Sequence, residues 1–337
     1  MKIMKRLTSI LALAALTLFP ACENGDWSFP DYDYSTVYFA YQFPVRTLTL
    51  GNDEEYNNDL DNEHKCKIKA VLGGVYENGA NRIIDIEVDN SLCDDLYFST
   101  GEKVEPMPAG YYQLAADQIV IPKGEISGGV EVQFTDAFFA DPKSILTNYV
   151  IPLRMTDVQN ADSILQGQPN VDNPDPRITS DWVEQPKNFV LYAVKYVNPW
   201  DGILLRRGVD QITADGTTTT VVRHGATVVD DQTVEFTTRS LTEAAWSLGL
   251  GNKTCNLILK FDDNNKCTLS TDTEGCTVSG TGEYVPHGEK NSFNNRDRDV
   301  IYLDYTVDLG DTKYATRDTL VMRDRQVKGE WFTVTKQ

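Results

Sequence analysis

The chain has 337 residues, in which 50 acidic residues outnumber 31 Lys and Arg residues and give a formal net charge of −19. Binding of nucleic acid requires clustered cations that displace counterions from phosphates, so this charge argues against a nucleic-acid partner. The length exceeds what one compact core usually serves, and we therefore expect two domains.

The first segment is basic and then apolar. The apolar run, residues 7–19, is too short to span a bilayer as a helix, and the pattern predicts a secretory signal peptide over residues 1–21. Its end, Ala21-Cys22, resembles a bacterial lipoprotein signal, which implies lipidation of Cys22. Acyl chains would hold the protein on a membrane without a transmembrane helix. A plain secretory signal with a chance cysteine is the alternative.

The next residues, 22–35, are acidic and aromatic with no apolar period, and they predict a flexible tether. Removal of residues 1–21 takes away three basic and no acidic residues, which changes the net charge from −19 to −22. Such acidity is typical of an exposed protein that stays well dispersed.

Residues 36–198 alternate between β-rich runs and breaks made of Gly, Pro, Asn and Asp. In one run Ile84, Ile86 and Val88 share a face, and a period of two is typical of a strand with one buried and one exposed side. Eight such runs without an amphipathic helix between them predict an antiparallel two-sheet sandwich. The predicted strands cover residues 37–41, 46–50, 66–72, 83–88, 119–121, 130–134, 149–155 and 189–197.

The domain boundary is predicted at Asn198-Pro199. Residues 166–187 hold four prolines and have the composition of a linker. Residues 189–197, however, are almost continuously apolar, as in a strand that is buried on both faces and lies inside a sheet. We therefore interpret residues 166–187 as an excursion of the first domain.

Residues 199–337 hold eight further β-rich runs at hairpin distance, a meander that predicts an up-and-down barrel. One short helix is predicted within it, because Ser240-Leu241-Thr242-Glu243 fits a capping box and Gly249 can end a helix. On its helical wheel Trp246 points away from the apolar stripe. The predicted strands cover residues 203–207, 217–223, 233–238, 256–261, 267–270, 277–284, 300–307 and 319–323.

Motifs for catalysis or metal binding are missing from the sequence. His64, His224 and His287 stand apart, and no HExxH, CxxC or GxSxG pattern occurs. The acidic loop at residues 52–63 invites comparison with calcium sites, but its spacing does not match an EF-hand. We expect no enzyme activity, metal or cofactor. Five cysteines remain besides Cys22, so disulfides are optional and buried free thiols are equally expected.

Aromatic residues are the remaining indication of function. Sugar rings stack on exposed Trp and Tyr side chains. Aromatic residues in or beside predicted loops and strand ends are Trp182, Trp200, Trp246, Trp331 and Tyr284. Of these, we predict Trp246, Trp200, Tyr284 and Trp182 as ligand-binding residues, with packing as the alternative.

Five segments resemble one known family: residues 110–114 (GYYQL), 119–124 (IVIPKG), 149–153 (YVIPL), 299–305 (DVIYLDY) and 318–325 (DTLVMRDR). They are similar to surface lipoproteins of gut Bacteroidota. The resemblance implies an immunoglobulin-like sandwich over 36–198, a lipocalin-like barrel over 199–337, and an anchor in the outer membrane facing the cell exterior. It also implies a glycan ligand and a neighbouring transporter or enzyme of a polysaccharide-utilisation system.

Three hypotheses about function follow. The first is a non-catalytic surface protein that binds glycan. The second is an adhesive or structural protein that binds protein partners, and the third is a lipocalin-like carrier or enzyme. Exposed aromatic residues beside a groove would favour the first, a large apolar surface patch the second, and a deep pocket with converging carboxylates the third.

Overall fold

The computed structural model describes residues 32–336. The predicted signal peptide (1–21), Cys22 and most of the tether lie outside the described residues. The predicted all-β fold is confirmed, with a sheet-rich N-terminal region and a closed eight-stranded barrel in the C-terminal region. In the part of the chain that the structure describes, no helix has the length and apolar character needed to cross a membrane.

The N-terminal region is a sandwich of two sheets. One sheet has the order β11-β1-β3-β9-β7, and the other contains β2-β14-β10-β4-β8, with β6 beside β10. The strands are β1 (Thr36–Tyr38), β2 (Pro44–Thr49), β3 (Lys65–Gly73), β4 (Arg82–Val88), β5 (Leu96–Phe98), β6 (Glu105–Pro106), β7 (Tyr112–Leu114), β8 (Gln118–Ile121), β9 (Ser127–Phe134), β10 (Tyr149–Gln159), β11 (Ser163–Ile164), β12 (Gln168–Pro169), β13 (Trp182–Glu184) and β14 (Phe189–Val197). Two one-turn helices are α1 (Asp59–Asn62) and α2 (Asp136–Ala140).

Strand β14 lies inside the second sheet, between β2 and β10. Val194 faces the core between the two sheets, whereas Leu191 belongs to a second apolar cluster on the outer face, together with Leu96 and Phe98 of β5. The prediction that residues 189–197 form a strand buried on both faces is therefore confirmed.

The C-terminal region is a barrel in which β15 pairs with β23 and closes the ring. The barrel strands are β15 (Gly202–Ala214), β17 (Gln232–Thr238), β18 (Glu243–Leu250), β19 (Lys253–Phe261), β20 (Lys266–Thr271), β21 (Thr277–Glu289), β22 (Arg298–Asp308) and β23 (Thr312–Asp324); a ninth strand, β16 (Thr217–Arg223), pairs only with the outer half of β15. The disulfide Cys255–Cys276 lies in the barrel, and the other described cysteines, Cys66, Cys93 and Cys267, are free and buried.

The helix predicted over residues 240–249 is wrong, because most of this segment forms strand β18. Ala244, Trp246 and Leu248 alternate with more exposed residues and face the barrel core. Burial in this segment therefore repeats every two residues, as in a strand, rather than every 3.6 residues, as in a helix. The Ser240 hydroxyl, read as a helix cap, accepts a hydrogen bond from the backbone N–H of Thr242 at 3.3 Å in the turn before β18. Capping residues also favour turns, which explains the error.

The chain leaves the barrel and returns to the sandwich. Strand β24 (Glu330–Trp331) pairs with β2, and β25 (Val334–Lys336) pairs with β5. Between them Phe332 packs against Phe43 and Phe98, with ring centroids 5.6 and 5.2 Å apart. The range 199–337, predicted as the barrel, thus ends in a tail that extends the sheets of the N-terminal region.

Arg325 joins the two regions where the tail begins. Its buried guanidinium donates four hydrogen bonds to backbone carbonyls: 2.9 Å to Leu50, 3.0 Å to Asn52, 2.8 Å to Asn198 and 2.8 Å to Asp201. Two of these carbonyls follow β2 and two lie at the boundary between the regions. One side chain therefore fixes the sandwich, the boundary and the start of the tail together.

We expect Arg325→Met to lower the free energy of unfolding by at least about 3 kcal/mol, because it leaves buried carbonyls without donors. Urea unfolding followed by tryptophan fluorescence measures the change, and the two regions should then unfold in separate transitions. The exposed neighbour Arg323 supplies the control, since Arg323→Met should change stability by less than about 1 kcal/mol. Equal effects of both variants would contradict the assigned role of Arg325.

Candidate functional site

Three of the four predicted ligand-binding residues lie in the barrel interior. Trp246 is 3% exposed, stacks on Phe236 at 5.4 Å and lies 4.7 Å from the Arg206 guanidinium. The buried ring of Trp200 stacks on that of Phe261 at 3.8 Å. The expectation that Trp246 points away from the apolar core is wrong, because a strand in this register directs it inward.

Tyr284 is also buried. Its hydroxyl donates a hydrogen bond to Asp299, a carboxylate that accepts a further bond from the backbone N–H of His287 at 2.8 Å. Asn52 of the sandwich reaches the same carboxylate at 3.3 Å. Tyr284 therefore supports the contact between the two regions.

Trp182, the fourth predicted residue, is half-buried in the excursion at residues 166–187. Its indole N–H donates to the Asp175 carbonyl at 2.7 Å. The Asp175 carboxylate accepts hydrogen bonds from Arg177 at 2.6 and 2.7 Å and from Lys336 of the tail at 3.0 Å. Arg177 also donates to the backbone carbonyls of Leu92 and Asp94. The structure thus places Trp182 in a cluster that holds the excursion and the tail against the sandwich.

Exposed aromatic side chains lie instead where the tail crosses the sandwich. Of the four tryptophans in the described part of the chain, Trp331 alone is exposed, at 58%, and its ring centroid lies 5.5 Å from that of Tyr41, which is 59% exposed. Trp331 borders an open groove of about 460 Å³. We call this the tail groove; its lining includes Ser99, Thr100, Glu102, Leu146, Asn148 and Trp331.

Local sequence explains how the tail presents this ring. Residues 331–334 alternate in exposure, so that Phe332 and Val334 pack on the sandwich while Trp331 and Thr333 face solvent. Gly329 lets the indole lie close to the chain, because a Cβ at that position would stand 2.9 Å from the ring. Sequence reasoning considered Trp331 but missed Tyr41 and Asn148.

The polar lining of the tail groove includes an unused donor. The side-chain amide nitrogen of Asn148 is buried and has no hydrogen-bond partner among the described residues. Glu102 lies nearby on the lining, and a hydrogen bond from Thr100 lowers the pKa of its carboxyl, so it is ionised at neutral pH. The lining of the groove therefore combines a buried amide donor, an ionised carboxylate and the exposed Trp331 ring, with Tyr41 beside that ring.

A larger groove, about 930 Å³, crosses the outer face of the barrel. Two ion pairs lie on its lining: Lys266 lies 2.5 Å from Glu283, and Arg317 lies 2.9 Å from Asp304. Of its two aromatic residues, Phe261 is buried and Tyr302 is 37% exposed. This groove has more volume than the tail groove but less exposed aromatic surface.

Two carboxylates of the barrel, Asp210 and Asp318, are held by arginines. Asp318 accepts from Arg206 at 2.9 Å, from Tyr305 at 2.8 Å and from Arg223 at 2.7 Å. Burial opposes ionisation of Asp210, but hydrogen bonds from Arg223 outweigh it and lower the pKa of this carboxyl. The lowered pKa keeps the Asp210 carboxyl ionised at neutral pH. Among the described residues no group of three or more His, Cys, Asp or Glu side chains is placed to hold a metal ion.

The chain combines a sheet-rich N-terminal region with a C-terminal β-barrel, and comparisons match both parts. A model described as a domain of unknown function (DUF5627) matches residues 199–326, and a model of an N-terminal domain matches residues 32–162. A crystal structure of a Bacteroides ovatus protein of unknown function shares 50% sequence identity and a TM-score of 0.85, covering 91% of this chain and 100% of its own. The chain therefore belongs to the same Bacteroidota family of unknown function.

Two more distant structures align with most of this chain but share little sequence identity with it. Another Bacteroides ovatus protein of unknown function is 14% identical with a TM-score of 0.40, covering 88% of this chain and 100% of its own. A Bacteroides thetaiotaomicron protein described as an auxiliary nutrient binding protein is 13% identical with a TM-score of 0.36, covering 82% and 90%. None of the curated proteins matches the chain.

We expect Asp175→Asn to weaken the attachment of the tail in a pH-dependent way. Hydrogen bonds from Arg177 hold the pKa of Asp175 well below its usual range, so the ionised carboxylate stabilises the fold at pH 7, by about 2 kcal/mol. This stabilisation is complete above pH ~4 and is lost as the pH falls through the lowered value. Urea unfolding at pH 7 and at lower pH should show the variant and the wild type converging on acidification.

The exposed Asp172, in the same excursion, provides the matched control, because Asp172→Asn removes an equal charge without removing this cluster. A constant difference between Asp175→Asn and the wild type over the whole pH range would contradict the assigned role of the carboxylate.

Proposed function

We propose that this protein is a non-catalytic surface lipoprotein that binds glycan in the tail groove. The observation that carries the proposal is the exposed pair Trp331 and Tyr41 beside a groove with the unpaired Asn148 amide. Exposed aromatic residues beside a groove are the feature expected of a glycan-binding protein, because pyranose rings present apolar C–H faces that stack on them.

Hydrogen bonding in the tail groove also fits a sugar. A ligand hydroxyl both donates and accepts, so it can accept from the Asn148 amide and donate to the Glu102 carboxylate. An unsatisfied buried donor costs free energy until a ligand pairs with it. The groove should therefore bind a polyhydroxylated ligand more tightly than a purely apolar one.

The barrel interior supports this choice over a lipocalin-like carrier. Large side chains fill it, among them Trp200, Trp246, Phe261 and Tyr305, and its carboxylates Asp210 and Asp318 are engaged by arginines. Such packing gives the barrel the character of a hydrophobic core. In this proposal the barrel serves to hold the tail, and the ligand binds outside it.

We expect Trp331→Ala to weaken glycan binding about fivefold, which corresponds to about 1 kcal/mol for the loss of one stacking ring. Because the ring is mostly exposed, the melting temperature should change little. Affinity electrophoresis on a panel of soluble polysaccharides measures retention, and thermal unfolding measures stability on the same sample.

Trp246→Ala serves as the matched control, since it removes the same ring from the barrel core. It should cost about 3–5 kcal/mol of stability and leave the affinity of the folded protein unchanged. Loss of retention in Trp246→Ala at a temperature where it is folded, with full retention in Trp331→Ala, would move the site to the barrel.

The membrane anchor is part of the same proposal and rests on the lipoprotein-like end of the signal, Ala21-Cys22. We expect Cys22→Ser to release the protein from the membrane fraction, because no acyl chain can then be attached to a thiol. Immunoblots of membrane and soluble fractions test this, with Cys66→Ser as the matched thiol control. A Cys22→Ser protein that stays in the membrane fraction would refute the anchor.

A further inference from the structure

We infer that the tail groove selects uncharged glycans and rejects those that carry carboxylate or sulfate groups. This inference rests on the proposed function and names the substrate class of the same site. It is carried by the distribution of charge along the groove and by the lack of a free cation there among the described residues.

The ionisable side chains on the lining are Glu102 and Glu330. Glu330 is neutralised, since its carboxylate lies 2.8 Å from the Lys195 ammonium. Glu102 is exposed to solvent, and among the described residues the interactions that act on its carboxyl include no Lys or Arg. The groove therefore presents one uncompensated negative charge to its ligand.

Recognition of an anionic sugar normally uses an arginine fork or a lysine ammonium, because charge-assisted hydrogen bonds offset the loss of hydration. The tail groove places neither on its lining, and a uronate bound there would face the Glu102 carboxylate. The formal charge of the whole chain, −19, adds repulsion to any polyanion that approaches.

An uncharged sugar is not repelled by the Glu102 carboxylate and can form a hydrogen bond with it. Its hydroxyl can donate to Glu102, and a hydrogen bond to a charged acceptor is stronger than one between neutral groups. The Asn148 amide, buried without a partner, donates to a hydroxyl oxygen. The Asn148 N–H can donate to a hydroxyl or to a carboxylate alike, so the charge of Glu102 is what favours a neutral ligand over an acidic one.

The test uses the full chain in detergent and two sets of probes. Neutral probes are arabinoxylan, galactomannan, β-glucan and starch, and acidic probes are polygalacturonate and chondroitin sulfate. The decisive comparison takes the neutral polysaccharide that binds and the same polysaccharide oxidised to uronate at its primary hydroxyls. We expect oxidation to weaken binding about 3- to 10-fold at low salt, and the difference to shrink at 0.5 M NaCl.

Glu102→Lys should reverse the preference and raise the affinity for the oxidised polymer above that of the wild type. Glu274→Lys, at an exposed position of the barrel, changes the net charge equally and should have a much smaller effect. Binding of acidic polymers that is lost in Trp331→Ala would overturn the charge selectivity and leave the proposed function standing. Failure of both neutral and acidic probes to bind would overturn the two together.

Discussion

The buried guanidinium of Arg325 is the interaction on which the arrangement of this protein depends. A charged side chain is costly to bury unless its donors are satisfied, and here the partners are backbone carbonyls of both regions. The carbonyls of Leu50 and Asn198 directly follow β2 and β14, so these hydrogen bonds join the end of β23 to both strands. The direction in which the tail leaves the barrel is set at the same point.

The tail also covers an exposed edge of the second sheet. Strand β2 would otherwise end the second sheet with unpaired backbone groups, and β24 covers that edge over two residues. The short contact is reinforced by the apolar side of the tail and by the ion pair between Lys336 and Asp175. Because strand side chains alternate, sealing the edge with Phe332 necessarily turns Trp331 outward. The candidate site is thus a consequence of how the sandwich is closed.

Sequence alone predicted the elements whose periodicity is long and unambiguous. Strand β14 and the alternating strand β4 were found, and the meander predicted the barrel. Segment 240–249 failed because Ala244 and Leu248 fit a helical stripe as well as a strand face. The tail strands, two and three residues long, are too short to carry a period. Their partners in β2 and β5 lie more than 230 residues away in sequence, so the tail groove had no local signature.

Choosing between the tryptophans shows why residue type is a weaker guide to function than solvent exposure. Trp246 lies in the middle of β18 and completes a packed core with Phe236, whereas Trp331 ends β24 and keeps most of its surface in water beside Tyr41. Exposed indole surface contributes little to folding, since burial is what stabilises a large apolar ring. Two such rings lie together here, near an amide donor without a partner. This arrangement contributes less to the free energy of unfolding than buried rings and a paired donor would. That stability becomes available when a ligand covers the rings and pairs with the donor.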